Sequence, residues 1–114
     1  MRERIVSKYL TVSAVTAGTT VGALLPAGAH GLIEQVVVRA KSGGGASGDV
    51  LISMTGGSNE EDLAYKYTSA PWPFVDSSIA APFDSRHSGA QPSLILAPAV
   101  DGVFAVRIDF RLFI

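Results

Sequence analysis

At 114 residues, the chain suits one domain built round one hydrophobic core. Charged residues make up 17% and hydrophobic ones 47%, with a formal net charge of −1, which leaves no cationic footprint for nucleic acid or for an anionic membrane surface. Cysteine is absent, excluding a disulfide framework and a thiolate metal site. So apolar a composition in so small a chain predicts that part of its surface meets another protein.

Residues 1–30 start basic and then run uncharged from Tyr9 to Ile33, past the small residues Ala27, Gly28 and Ala29, which are ingredients of a secretion signal. Lys8 interrupts that pattern, and Thr11, Ser13, Thr16, Gly18, Thr19, Thr20 and Gly22 dilute it. The same residues suit strands better than a membrane helix. Ile5 to Val15 therefore reads as a strand or extended arm, with Val6, Lys8, Leu10, Val12 and Ala14 on one face. A short strand follows between Thr19 and Leu24.

Leu32 to Lys41 alternates as a strand, with Leu32, Glu34, Val36, Val38 and Ala40 on one side. "SGGGASG" reads as a flexible tip, and "DVLISM" places Val50, Ile52 and Met54 on one face, so the two runs are expected to form a β-hairpin. "GGSNEED" is an exposed acidic turn. "LAYKYTS" is a short strand with Leu63, Tyr65 and Tyr67 on one side. Ala70 to Pro92 carries four of the six prolines and predicts a long excursion away from the sheets. "SLILAPA" is a short strand and "VDG" a turn.

The closing stretch "GVFAVRIDFRLFI" alternates throughout. Phe104, Val106, Ile108, Phe110, Leu112 and Ile114 are expected to fill the core, leaving Arg107, Asp109 and Arg111 on a face turned to solvent or a partner. No stretch has helical periodicity. The fold expected is all-β, a single antiparallel β-sandwich of jelly-roll type, with residues 1–30 as an N-terminal arm or edge strands and 31–114 as the sandwich.

No chemistry-bearing motif survives inspection. Gly43 and Gly48 have phosphate-loop spacing, but Asp49 and Val50 follow where Lys and Ser/Thr are required. "GASGD" lacks the residue between Ser47 and Gly48 that a nucleophile elbow needs. Glu60, Glu61 and Asp62 are consecutive, whereas calcium ligands alternate along a loop. Asp84, Arg86 and His87 cluster in sequence, yet nothing fixes a nucleophile–base pair, and turn hydrogen bonds or an interface ion pair suit Asp84 and Arg86 better. No catalytic residue, cofactor or metal is expected. Trp72 between two prolines, beside Phe74 and just after Tyr65 and Tyr67, suits a sugar-stacking platform or a protein anchor, or else a plug at one end of the core. Arg107, Asp109 and Arg111 can pair along or across strands.

The order of these parts, from "GLIEQVVVRAKSGGGASGDVLISM" through "LAYKY", "PWPFVDSSIAAPFD" and "SLILAPAVDG" to "VFAVRIDFRLF", is similar to that of small β-sandwich virion proteins of tailed bacteriophages. These include capsid decoration or cement proteins and related neck or tail components. The likeness covers Gly31 to Ile114 and is one of pattern. It implies a non-enzymatic assembly role in the virion, a homo-oligomer with a trimer favoured, and the major capsid or another virion protein as partner, with neither nucleic acid nor membrane. Trp72, Phe74, Tyr65, Tyr67, Arg107, Asp109 and Arg111 are the interface candidates. Within the virion, capsid decoration is the first expectation; the alternatives are a neck or tail structural component, or a surface β-sandwich binding module for carbohydrate or a host receptor.

Overall fold

Apolar residues two apart make these segments strands, and the way the strands pair makes them a roll. The computed structural model describes residues 2–22, 24–55, 63–86 and 90–114. The strands are β1 (Glu3–Ala14), β2 (Thr19–Val21), β3 (His30–Gly43), β4 (Ser47–Thr55), β5 (Leu63–Pro71), β6 (Phe74–Asp76), β7 (Ala81–Asp84), β8 (Gln91–Pro98) and β9 (Gly102–Phe113). The expected acidic turn at Glu60, Glu61 and Asp62 lies outside the described residues, as does His87.

Pairing runs outward from β4 and β5. β4 pairs β5, β3 pairs β6 and β7, β2 pairs β8, and β1 pairs β9, all antiparallel. The chain is thus one long two-stranded ribbon. Rolling it up brings β9 onto β3 and β8 onto β4 as well. Two sheets result. Sheet A has the order β1-β9-β3-β6, with β7 also on β3, and sheet B has the order β2-β8-β4-β5. With β6 and β7 counted as one interrupted strand, this is the strand order of a jelly roll.

The facing sides of the two sheets make the core. Sheet A contributes Val12, Ile33, Val36, Val38, Phe104, Val106, Ile108 and Phe110, and sheet B contributes Val50, Ile52, Leu94 and Leu96, all buried. Two edge-on aromatic pairs anchor the ends of β9. Trp72 meets Phe104 at 5.6 Å, and Phe83 of β7 meets Phe110 at 5.6 Å.

Four expectations change. β3 and β4 do not form a hairpin, because they lie in different sheets. The Gly43–Gly45 stretch between them is a corner, with φ of +65°, +85° and +71°, values that glycine reaches without strain. The Gly44 amide donates to the Asp101 carbonyl at 3.1 Å, and a side chain at Gly44 would collide with the Phe104 ring. Next, β3 does not keep one alternation throughout. A register shift between Ile33 and Gln35 puts Ile33 with Val36 and Val38 in the core and leaves Leu32 half-buried on the other side.

The proline-rich segment is not an excursion. It contains the end of β5, all of β6 and β7, and the start of β8. Pro82 sits on an outermost strand, and Pro92 lies beyond the end of β2, so neither breaks a two-sided ladder. Finally, Ile114 is 69% exposed and lies just past β9, whereas the rest of its face is core.

Ile108 and Phe110 are fully buried. Phe110→Ala is expected to cost about 3–5 kcal/mol in urea unfolding followed by circular dichroism. Phe110→Asp and Ile108→Asp should show no cooperative transition, because total stability is only about 5–15 kcal/mol and a buried carboxylate without a partner consumes it. A soluble, folded Phe110→Asp protein would mean that the faces of β9 are assigned wrongly.

Candidate functional site: the outer face of sheet A

The register across β1, β9, β3 and β6 places Tyr9, Arg107, Val37 and Val75 in one row, with Thr11, Ala105 and Arg39 in the next. These residues point away from the core. Tyr9 is 72% exposed, Val75 60%, and Ile5, further along β1, 51%. Tyr9, Leu10, Thr11, Val37, Ala105 and Pro73 line a shallow groove of about 420 Å³, with Arg39 and Arg107 also on its wall. Strand pleating alone explains why small and β-branched side chains leave such a floor between longer neighbours.

Charges are arranged round that floor. Arg107 donates to both carboxylate oxygens of Asp109, at 3.1 and 2.9 Å. The hydrogen bonds to Asp109 hold the Arg107 pKa above its ordinary value. The guanidinium also lies 5.8 Å from the centre of the Tyr9 ring, within cation–π range. Arg111 donates to Glu34 of β3 and, at 2.8 Å, to Glu3 of β1. One side chain of the middle strand therefore reaches both neighbours. Its pKa too is raised, first by the hydrogen bond to Glu34 and then by that to Glu3. Glu34 is the extra residue at the register shift, and from there its carboxylate reaches Arg111, which lies across from Leu32.

The structure separates the interface candidates into two groups. Arg107, Asp109 and Arg111 are all on the outer face of sheet A. Asp109, however, is not solvated. It is only 6% exposed, between Ser7 of β1 and Gln35 of β3, and Arg107 holds both of its carboxylate oxygens. The four aromatic candidates sit elsewhere, on the lateral seam where the edge strands β5 and β6 of the two sheets face each other. Phe74 is buried, so it belongs to the core and not to a surface. Tyr67 rests on it with ring centres 4.8 Å apart. The Tyr65 hydroxyl donates to Asp76 Oδ2 at 3.0 Å and so ties β5 to β6. Trp72 is half-buried, and its Nε1 is buried with no partner among the described residues. Burial and the bond to Asp76 raise the Tyr65 pKa.

A second groove, of about 440 Å³, lies at the other end of the sheet between His30, Leu32, Pro82, Arg86 and Phe113. There Asp84 accepts from the Arg86 backbone at 2.9 Å and from its guanidinium at 3.0 and 2.8 Å, the expected turn. Sequence reasoning missed Tyr9, Val37 and Val75. The available signal was the second face of "IVSKYLTV", where Ile5 and Tyr9 stand opposite the residues that enter the core.

Two outcomes follow from this geometry. Arg107→Ala strands a buried carboxylate, whereas Asp109→Ala leaves an arginine that reaches water. Arg107→Ala should therefore lower the urea midpoint more than Asp109→Ala does, and equal shifts would show that Asp109 is already solvated. Tyr65→Phe should cost about 1 kcal/mol at pH 7. The folded pKa of Tyr65 lies above the unfolded one, so its stabilisation is complete below about pH 10 and is lost as pH rises beyond that. The gap between wild type and Tyr65→Phe should narrow in that window, and a gap constant to pH 11 would rule the hydrogen bond out as its source. Comparison with protein-family models, with curated proteins and with solved structures finds no match to this chain.

Proposed function

We propose that the chain is a non-enzymatic structural subunit of a tailed-phage particle, most simply a capsid decoration or cement protein that binds the shell and its own copies, as a trimer, by burying surface. The observation that carries this reading is the outer face of sheet A. Ile5, Tyr9 and Val75 are exposed there round an apolar groove, with ion-paired arginines beside it. Apolar floor and charged surround are the anatomy of a contact surface. What gathers on this face is area and fixed charge, which bind without reacting.

Jelly rolls serve viral capsids, lectins and other proteins alike, so the fold by itself is only an analogy. The arrangement of Trp72 weighs against the carbohydrate or receptor module. Its ring stands edge-on to Phe104 and Phe74 is buried, which leaves the proline-framed loop without a stacking platform. Decoration acts through many modest contacts whose sum is large, and a rigid sandwich with one apolar face suits that arithmetic.

The test is particle association. Purified protein added to phage particles that lack it should bind saturably and raise the temperature at which the shell opens. Mass spectrometry of purified virions finding no copies would overturn the reading. Tyr9→Asp combined with Val75→Asp should leave the thermal midpoint of the isolated protein within a few degrees of wild type, since both side chains are already in water. The same pair should abolish particle binding. Undiminished binding by that variant would move the contact off this face.

A further inference from the structure

The sheet edges of this molecule are treated unequally. β2 and β6 are three residues long, and β7 is four with Pro82 inside it. β5 is longer, but its pairing slips twice and it ends through Ser69 at φ 55°. Short strands, prolines and bulges are the ordinary ways of blunting an edge. β1 has none of these. It pairs β9 without a break from Glu3 to Ala14, and no strand among the described residues lies on its other side.

What β1 does carry is charge. Lys8 stands on the core-facing side between Val6 and Leu10, half-buried, with Arg4 four residues before it on the same side. Neither has an ion-pair partner among the described residues. Glu3, the acidic residue of the strand, is engaged by Arg111. The open edge is therefore cationic. An inward-pointing lysine on an edge strand discourages self-pairing. Two copies joined antiparallel through β1, with their core sides together and centred on Val6, Ser7, Lys8 or Tyr9, set Lys8 opposite or diagonal to Lys8 or Arg4 of the other copy. Like charges so placed repel.

From this we infer that the open edge of β1 receives an extended segment of a different protein as an additional strand, and that this segment carries carboxylates at alternate positions facing Arg4 and Lys8. Backbone hydrogen bonds supply the attachment and the alternate side chains the selectivity. The other side of the added strand lies next to Tyr9 and Thr11 and so favours apolar residues. This goes beyond the assembly role proposed above by naming the chemistry of a partner and the edge that it uses.

The experiment is fluorescence anisotropy on the isolated full chain with labelled ten-residue peptides. An alternating Glu-Val peptide should bind saturably, and more weakly as salt rises. An alternating Lys-Val peptide should bind at least about tenfold more weakly. Arg4→Glu with Lys8→Glu should reverse that preference, with the circular dichroism spectrum unchanged to show an intact fold. Methylating every second backbone nitrogen of the Glu-Val peptide should abolish binding for one alternate set and spare it for the other, because an added strand turns only half its amides towards the sheet. No saturable binding of the Glu-Val peptide, equal binding of the two charge types, or indifference to both methylation sets would each overturn the inference. None of these results bears on whether the protein sits on particles, so the two readings fail separately.

Discussion

Every sideways-facing amide and carbonyl of β9 has to find a partner, because the strand runs through the middle of sheet A and its core face is shut off from water. β1 supplies one row of partners and β3 the other, along nearly the whole strand. That double pairing fixes the architecture. β1 is the ribbon partner of β9, and β3 reaches it only when the ribbon is rolled. The contact between β9 and β3 is therefore what turns a long hairpin into two packed sheets. Phe104 then packs edge-on against Trp72 at one end of β9, and Phe110 against Phe83 of the same sheet at the other. Since nearly all of these contacts join distant parts of the chain, closure costs loop entropy before packing compensates for it.

The corners of the roll obey the same constraint. Where the chain leaves sheet A after β3, three consecutive glycines in the left-handed region turn it beneath Phe104 and against Asp101. Where it leaves sheet B after β5, Trp72 fits against Gly48, at a point where any side chain on Gly48 would collide with the indole. Glycine is used at both corners for close approach, and at the first for its backbone freedom as well. A loop that composition marks as flexible is in fact part of the packing.

Much of this was legible in the alternation of single strands. β9, β4 and the inner side of β1 follow their hydrophobic period, so the all-β class and most of the core could be read directly. Alternation says nothing about which strands pair, however. Two strands joined by a glycine-rich stretch look alike whether they form a hairpin or turn a corner between sheets. Nor does it foresee a single extra residue. At Glu34 the register shift exchanges the faces of Leu32 and Ile33 and brings a carboxylate to Arg111. The burial of Asp109 was hidden for a similar reason. Its face is the outer one, as period two requires, but alternation does not register the flanking strands that bury it or the arginine two residues earlier that binds it. The aromatic residues of the "PWPF" stretch were visible as a cluster, and only the tertiary fold decides that a cluster plugs a seam.

The apolar floor and the open edge are parts of one surface, since Tyr9 and Thr11 of β1 border both. An edge strand with a single neighbour would ordinarily fray, and docking against a frayed edge has to order it first. Glu3, Arg111 and Glu34 oppose that. They link β1 to β9 and β9 to β3 near the start of β1, and the Tyr9–Arg107 contact repeats the tie further along. Singly, such exposed pairs contribute little. Together they hold the edge in the geometry an incoming strand requires, which lowers the ordering cost of binding. The Glu3, Arg111 and Glu34 charges therefore matter less for holding the sandwich together than for keeping the long edge at β1 straight.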